Sequence, residues 1–381
     1  MFIQPKKQAV SRYVWLFIIP LLFLLVAPVF IINNSFFTVS KVGNHVPVLS
    51  STQLLEVISS ENQHFSSVIP VKEEVSAIKV GAEFVSNIKF DDIRSLLGAE
   101  IPGMQSYHAR ILVAGEGTNF TNIPIESAPP MEVLLQEREM AEEQLKELLA
   151  DKDSTQLPAS ERSEDTFFIY HTHSYESYFP LLGMKDVEDA NKASDAKTNI
   201  TLIGELLGKR LQEKGIQTIV DQTNMGQELA NRNLKHPSAY RVSREIVTKA
   251  MNSEKKPTYF LDLHRDSLRK SDTTVTINNQ RYAKVAFVIG EENKNFEKNA
   301  ALALQLHNLV EEKYPGLSRG LVPQGGTGVN GVYNQDLSPN VLLIEIGGVD
   351  NDMAELKNTV NVLADVISDH YWKAEKVNVE N

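Results

Sequence analysis

From Thr166 onward the chain alternates short apolar runs with stretches of helical periodicity, and this alternation is the tightest constraint on its fold. Thr166 to Tyr170, Ile216 to Val220, Thr258 to Leu263, Val285 to Ile289 and Val341 to Ile346 are too short for helices and rich in β-branched and aromatic residues, so they predict strands. Between them, Asn199 to Lys214 sets Ile200, Ile203, Leu206, Leu207 and Leu211 on one helical face and closes at Gly215. Tyr240 to Met251, Phe296 to Tyr314 and Met353 to Trp372 predict further helices. A strand with no polar side is buried on both faces. The pattern therefore predicts an α/β fold, a mostly parallel sheet covered by helices on both faces. Ligands of such sheets bind beyond the carboxyl ends of the strands.

The residues at those ends carry chemistry. The first strand runs into His171-Thr172-His173-Ser174-Tyr175-Glu176-Ser177, the third ends in Asp262-Leu263-His264-Arg265-Asp266-Ser267, and the fifth contains Glu345. Two His and one carboxylate form the ligand set of a catalytic zinc site that leaves one position open for water. A further carboxylate then serves as base, taking a proton from that water and returning it to the leaving amine. An ionised Glu345 within an apolar strand is costly unless paired or metal-linked. The reading takes His171, Glu176 and His264 as ligands, with His173 as the alternative ligand, and Glu345 as the base. Asp262 shares the strand parity of His264 and suits its other ring nitrogen. Arg265 is a candidate to polarise the scissile carbonyl or hold a substrate carboxylate, against a plain ion pair with Asp266. No Gly-x-Ser-x-Gly elbow is present, and Gly325-Gly326-Thr327-Gly328 lacks the lysine of a phosphate-binding loop, so it reads as an active-site loop.

The upstream third is different. Lys6, Lys7 and Arg12 precede an uncharged apolar run from Val14 to Ile32, about the length that spans ~30 Å of hydrocarbon. The expectation is residues 1–13 in the cytoplasm, an anchor over 14–32, and everything after it outside. A cleaved signal peptide is the rival, although its apolar region is normally shorter. Residues 40–125 read as a small α+β membrane-proximal region, with short helices at Gln53 to Ser59 and Phe90 to Leu97 and strands at Glu83 to Phe90 and Ser106 to Gly115. His45, His64 and His108 there have no partner at metal spacing. Met131 to Lys152 reads as one solvated helix, so 126–165 is expected to be spacer and linker and 166–375 the catalytic domain. A net charge of -11 excludes a nucleic-acid binder, and the absence of cysteine excludes thiolate ligands.

Six stretches together, "IYHTHSYESYFP", "YRVSREIV", "LDLHRDS", "VAFVIGEENKNFEKN", "SRGLV" and "VLLIEIGGVDND", resemble the stage II sporulation protein P family over about Thr166 to Tyr371. The resemblance implies a zinc amidase-like catalytic fold, with the family's motif residues falling at His171, Glu176, His264 and Glu345. It implies cleavage of the amide between N-acetylmuramic acid and L-alanine in peptidoglycan, with endopeptidase action on cross-links as well. It further implies a septal membrane complex with stage II sporulation proteins D and M, thinning the septum during engulfment. A peptidase restricted to stem peptides and a non-catalytic wall-binding scaffold are the alternatives.

Overall fold

A computed structural model describes residues 111–150, 163, 165–326 and 328–379. They fall within one compact unit, Asp92–Asn381. The expected anchor at 14–32, the cytoplasmic residues before it and most of the membrane-proximal region lie outside the described residues. Among the described residues no helix is long and apolar enough to cross a membrane.

The elements in chain order are β1 (Val113–Ala114), α1 (Met131–Leu134), α2 (Glu142–Leu149), β2 (Thr166–Tyr170), α3 (Thr201–Glu213), β3 (Gln217–Val220), α4 (Met225–Asn231), α5 (Ala239–Met251), β4 (Tyr259–Asp266), α6 (Lys270–Thr273), β5 (Thr274–Ile277), β6 (Gln280–Ala283), β7 (Val285–Gly290), α7 (Phe296–Lys313), β8 (Ser318–Gln324), β9 (Val341–Gly348) and α8 (Met353–Val379). A seven-stranded sheet has the order β1-β8-β7-β9-β4-β2-β3, and β5 and β6 form a separate antiparallel hairpin. β3, β2, β4 and β9 run parallel. β7 and β8 are parallel to each other, but β7 meets β9 antiparallel, and β1 is an antiparallel edge strand on β8. The expectation of a mostly parallel sheet holds, with one antiparallel seam beside β9.

The period-2 geometry of the strands explains why both faces are apolar. Phe167 and Ile169 of β2 face the large core with Ile203, Leu207 and Leu363, whereas Phe168 and Tyr170 face the opposite side with Val247 and Phe260. Each fully buried side chain of this size contributes about 1.5–3 kcal/mol. On β4 and β9 the same alternation sends Leu261, Leu263, Leu342 and Ile344 into the large core, and Phe260 and Val341 to the other face.

The upstream segment departs from its expectation. Met131 to Lys152 is not one solvated helix: α1 ends at Leu134 and α2 starts at Glu142. Tertiary backbone bonds replace the helical ones between them, since Ala141 N donates to Leu181 O (2.8 Å) and Ala196 N donates to Gln136 O (2.7 Å). Leu134 is fully buried against Tyr175, Met225 and Leu229. Nor is the region before β2 only a spacer, because β1 extends the sheet and Ile123 packs on Val322. β8, unassigned as a strand from sequence, is wholly buried, and the Gly-rich stretch follows it.

Candidate metal centre

The sheet brings three strand ends together. Register pairs Tyr170 with Asp262 and His264 with Glu345, so the ends of β2, β4 and β9 share one rim. Parity places Asp262, His264 and Glu345 on the face opposite the large core. The chain beyond β2 folds back through a bridge between Glu176 and Ser194, which lowers the Glu176 carboxylate onto this rim.

At the centre are His173, Glu176 and His264, all essentially without solvent exposure. His173 Nδ1 lies 3.3 Å from Glu176 Oε1, and His264 Nδ1 lies 3.4 Å from Glu176 Oε2. The two imidazole rings meet edge to face with centroids 4.9 Å apart. Glu176 Oε2 also accepts from the backbone N–H of Arg265 (2.9 Å). Glu126 joins from the upstream segment: one ligand atom each from Glu126, His173 and His264 lie within 4.8 Å of one another. Tyr240 Oη donates to Glu126 Oε1 at 2.5 Å.

The electrostatics follow from these pairings. Burial pushes the Glu176 carboxyl up, but His264 and His173 outweigh it and hold the group well below its ordinary range. Burial pushes His264 down, and Asp262 with Glu176 overrides it, holding the imidazole well above its ordinary value. Glu345 is different. Burial dominates, with further raising by Asp266, Glu176 and Glu126 against His264, so its carboxyl lies well above the usual range. Its Oε2 has no hydrogen-bond partner. A buried carboxyl that holds a proton readily beside a His-rich cluster suits proton transfer.

The expected residues divide. His264, Glu176 and Glu345 are in the cluster. His173 is there, and His171 is turned away from it: His171 Nδ1 faces the Asp221 carbonyl at 3.2 Å and its ring packs over Gly204 of α3. Burial pushes the His171 imidazole down to about 4. The two side chains lie two positions apart, but Thr172 intervenes as an anchor, donating from its N (2.8 Å) and Oγ1 (2.6 Å) to Asp262, and the turn there breaks simple strand parity. Asp262 Oδ1 approaches His264 Nε2 to 3.2 Å, as its parity suggested, although off the hydrogen-bond axis.

Arg265 does not face the cluster. Lying between His264 and Asp266, it points to the other side of the strand, with no solvent exposure. Its Nη1 donates to Ser127 Oγ (2.9 Å) and Asp266 O (3.2 Å), and its Nη2 to Ala193 O (3.0 Å). The expected ion pair with Asp266 is not formed either; that carboxylate takes Arg319 Nη1 at 2.6 Å. Sequence reasoning missed Glu126 and His236, whose ring lies 4.5 Å from that of His173 and whose Nδ1 meets Tyr175 Oη at 2.6 Å. Neither carried a spacing signal.

The cluster fits a metal ion on its own geometry. Glu176 offers a separate oxygen to each imidazole, Oε1 to His173 Nδ1 at 3.3 Å and Oε2 to His264 Nδ1 at 3.4 Å, while one ligand atom each of Glu126, His173 and His264 lies within 4.8 Å of the others. His173 Nδ1, His264 Nδ1 and Glu176 Oε1 are buried without hydrogen-bond partners, which is expensive unless something else satisfies them.

A family model described as Stage II sporulation protein P matches residues 91–368. Stage II sporulation protein P of Bacillus subtilis (strain 168) is 42 % identical over 326 residues, covering 84 % of this chain and 81 % of the relative. Among solved structures, the CwlD amidase from Clostridioides difficile in complex with the GerS lipoprotein is 12 % identical with a TM-score of 0.36, over 54 % of this chain and 98 % of that one. An N-acetylmuramoyl-L-alanine amidase from Clostridium difficile 630 is 15 % identical with a TM-score of 0.33, over 56 % of this chain and 97 % of that one.

Proposed function

This chain belongs to the stage II sporulation protein P family, and from that premise we propose that it is a metal-dependent peptidoglycan hydrolase acting in sporulation. The reaction proposed is hydrolysis of the amide joining N-acetylmuramic acid to L-alanine, as the family resemblance implies, with stem-peptide cross-links as a further substrate. The observation that carries it is the set of buried, unpartnered ligand atoms of His173, His264 and Glu176 beside the unpartnered carboxyl of Glu345. His173, in place of His171, with His264 and Glu176 would hold the ion, proposed to be zinc. Bound there, it would supply Lewis acidity, lowering the pKa of a water and polarising the scissile carbonyl.

The chain's own groups do the rest. Asp262 braces His264 from its Nε2 side while Thr172 fixes that carboxylate, so the imidazole presents Nδ1 to the centre. Glu345 takes the proton of the attacking water and passes it to the departing amide nitrogen, a task suited to a carboxyl whose burial raises its proton affinity. Arg265 acts as a strut that locks Ser127 and Ala193 around the rim. An anchor at Val14 to Ile32, an extracytoplasmic septal location and assembly with stage II sporulation proteins D and M complete the proposal.

Digestion of purified sacculi by the full chain tests it. Chelation should abolish release of stem peptides from glycan. Glu345→Gln should retain metal but lose about two to four orders of magnitude in rate. Products with stem peptides still attached to glycan would restrict the activity to cross-links, and near-wild-type turnover by Glu345→Gln would remove Glu345 as the base.

A further inference from the structure

His236 stands beside the metal centre without being one of its ligands. It opens a single helical turn, His236–Ser238, between α4 and α5, closed by Ser238 N donating to Lys235 O (2.8 Å). Pro237 fixes φ at the second position of that turn, and Leu234 and Ala239 on either side pack in the same apolar cluster as Tyr175. The backbone carrying the ring is therefore firmly placed. The ring centroid lies 4.5 Å from that of His173, and Nδ1 meets Tyr175 Oη at 2.6 Å.

That hydrogen bond decides where the imidazole carries its proton. Tyr175 is fully buried, and among the described residues His236 Nδ1 is the only polar partner of its hydroxyl. If Nδ1 held the proton of a neutral ring, the phenol would have to accept, and its own hydrogen would be buried without an acceptor, at a cost of about 1–3 kcal/mol. The phenol therefore donates to Nδ1, which leaves the ring hydrogen on Nε2. A doubly protonated ring would carry one there as well. His171 Nε2 and both ring nitrogens of His264 are sealed from solvent, whereas His236 Nε2 is open to it on a half-buried side chain and has no partner among the described residues.

Amide hydrolysis needs a donor of this kind. As water adds, negative charge builds on the carbonyl oxygen, and a donor placed there in advance stabilises it. Arg265, the candidate for this task from sequence, points to the far side of β4, and Tyr240 Oη is committed to Glu126. We infer that His236 is a catalytic residue whose Nε2–H donates to the carbonyl oxygen of the scissile amide and shares its developing charge. This rests on the hydrolase reading above. Glu345 moves the protons of that reaction, while His236 keeps its own and acts through its hydrogen bond. Tyr175, which fixes the tautomer, is a positioning residue.

Two measurements on the full chain test this: hydrolysis of soluble glycan–peptide fragments of sacculi by the zinc-loaded protein, and nitrogen-15 NMR of labelled histidine in the metal-free protein. The chain has nine histidines, so the His236 signals are assigned by their loss in His236→Gln. In wild type, Nε2 should carry the proton, and Tyr175→Phe should shift the ring toward the Nδ1–H tautomer and lower kcat with it. His236→Ala should lower kcat by about a hundredfold to a thousandfold with KM and metal stoichiometry unchanged. His236→Gln, whose amide can donate from the place of Nε2, should recover much of that loss, and it decides the matter if the alanine variant does not fold. Wild-type kcat in His236→Ala, or a neutral wild-type ring with its proton on Nδ1, overturns the assignment. Loss of the metal from the alanine and glutamine variants alike also overturns it, leaving the ring as a support for His173. Absence of stem-peptide release by wild type would instead remove the hydrolase reading and this role with it, while the tautomer measurement stands.

Discussion

Gly204→Ala separates the two histidines of the His-x-His run by what each one touches. Gly204 lies in the first turn of α3, and a Cβ built on it would overlap His171 Nε2 and stand 2.5 Å from its Cε1. The ring cannot retreat freely, because its other nitrogen faces the Asp221 carbonyl at 3.2 Å and it is 97 % shielded from solvent, with only 3 % exposure. Overpacking of this kind costs about 1–3 kcal/mol. Alanine returns about 0.5–1 kcal/mol of helix propensity, less near a helix end. The net expectation is a loss of about 1–2 kcal/mol in denaturant unfolding of the metal-free chain. In a His171→Ala background the clash disappears, so Gly204→Ala should become neutral or stabilising, a coupling of about 1–3 kcal/mol in a double-mutant cycle. Metal stoichiometry should stay at the wild-type value in both single variants, while His173→Ala should lose the ion. If Gly204→Ala or His171→Ala abolishes metal binding with the fold intact, His171 is a ligand and the assignment to His173 is wrong.

Asp262→Asn should weaken metal affinity by about 10–100-fold, measured by competition with a chelator, because the brace behind His264 loses its charge. Asp266→Ala should cost about 3–5 kcal/mol in denaturant unfolding, since it strips the carboxylate from Arg319, a guanidinium only 2 % exposed; a cost under 1 kcal/mol would show that the pair is not structurally important. Burial lowers the pKa of His307, whose Nδ1 meets Ser318 Oγ at 2.7 Å. The unfolded chain therefore takes up this proton first, so stability should fall as pH drops below ~6.5 toward the folded value and level off beneath it. His307→Gln should flatten part of that fall in unfolding free energy measured between pH 7.5 and 5.

The fold class was legible because burial on both faces leaves a direct trace: TFFIY and VLLIEI are runs that only a covered sheet accommodates, and α3 and α7 carry clean 3.6-residue periodicity. The placing of polar residues at the rim was legible for the related reason that a carboxylate such as Glu345 is out of place inside an apolar strand. Sequence thus determined a mostly parallel sheet with His and Glu at the ends of its strands. Only the tertiary structure decided which of those side chains meet. Thr172 locks onto Asp262 and twists the His-x-His turn, so His173 reaches the centre while His171 is packed over Gly204. A one-residue change of parity buries Arg265 on the far side of β4. Glu126 arrives from 47 positions before His173 on a segment held by Asp266, Arg265, Tyr240 and Asn191, distant partners that no periodicity in the segment's own residues encodes.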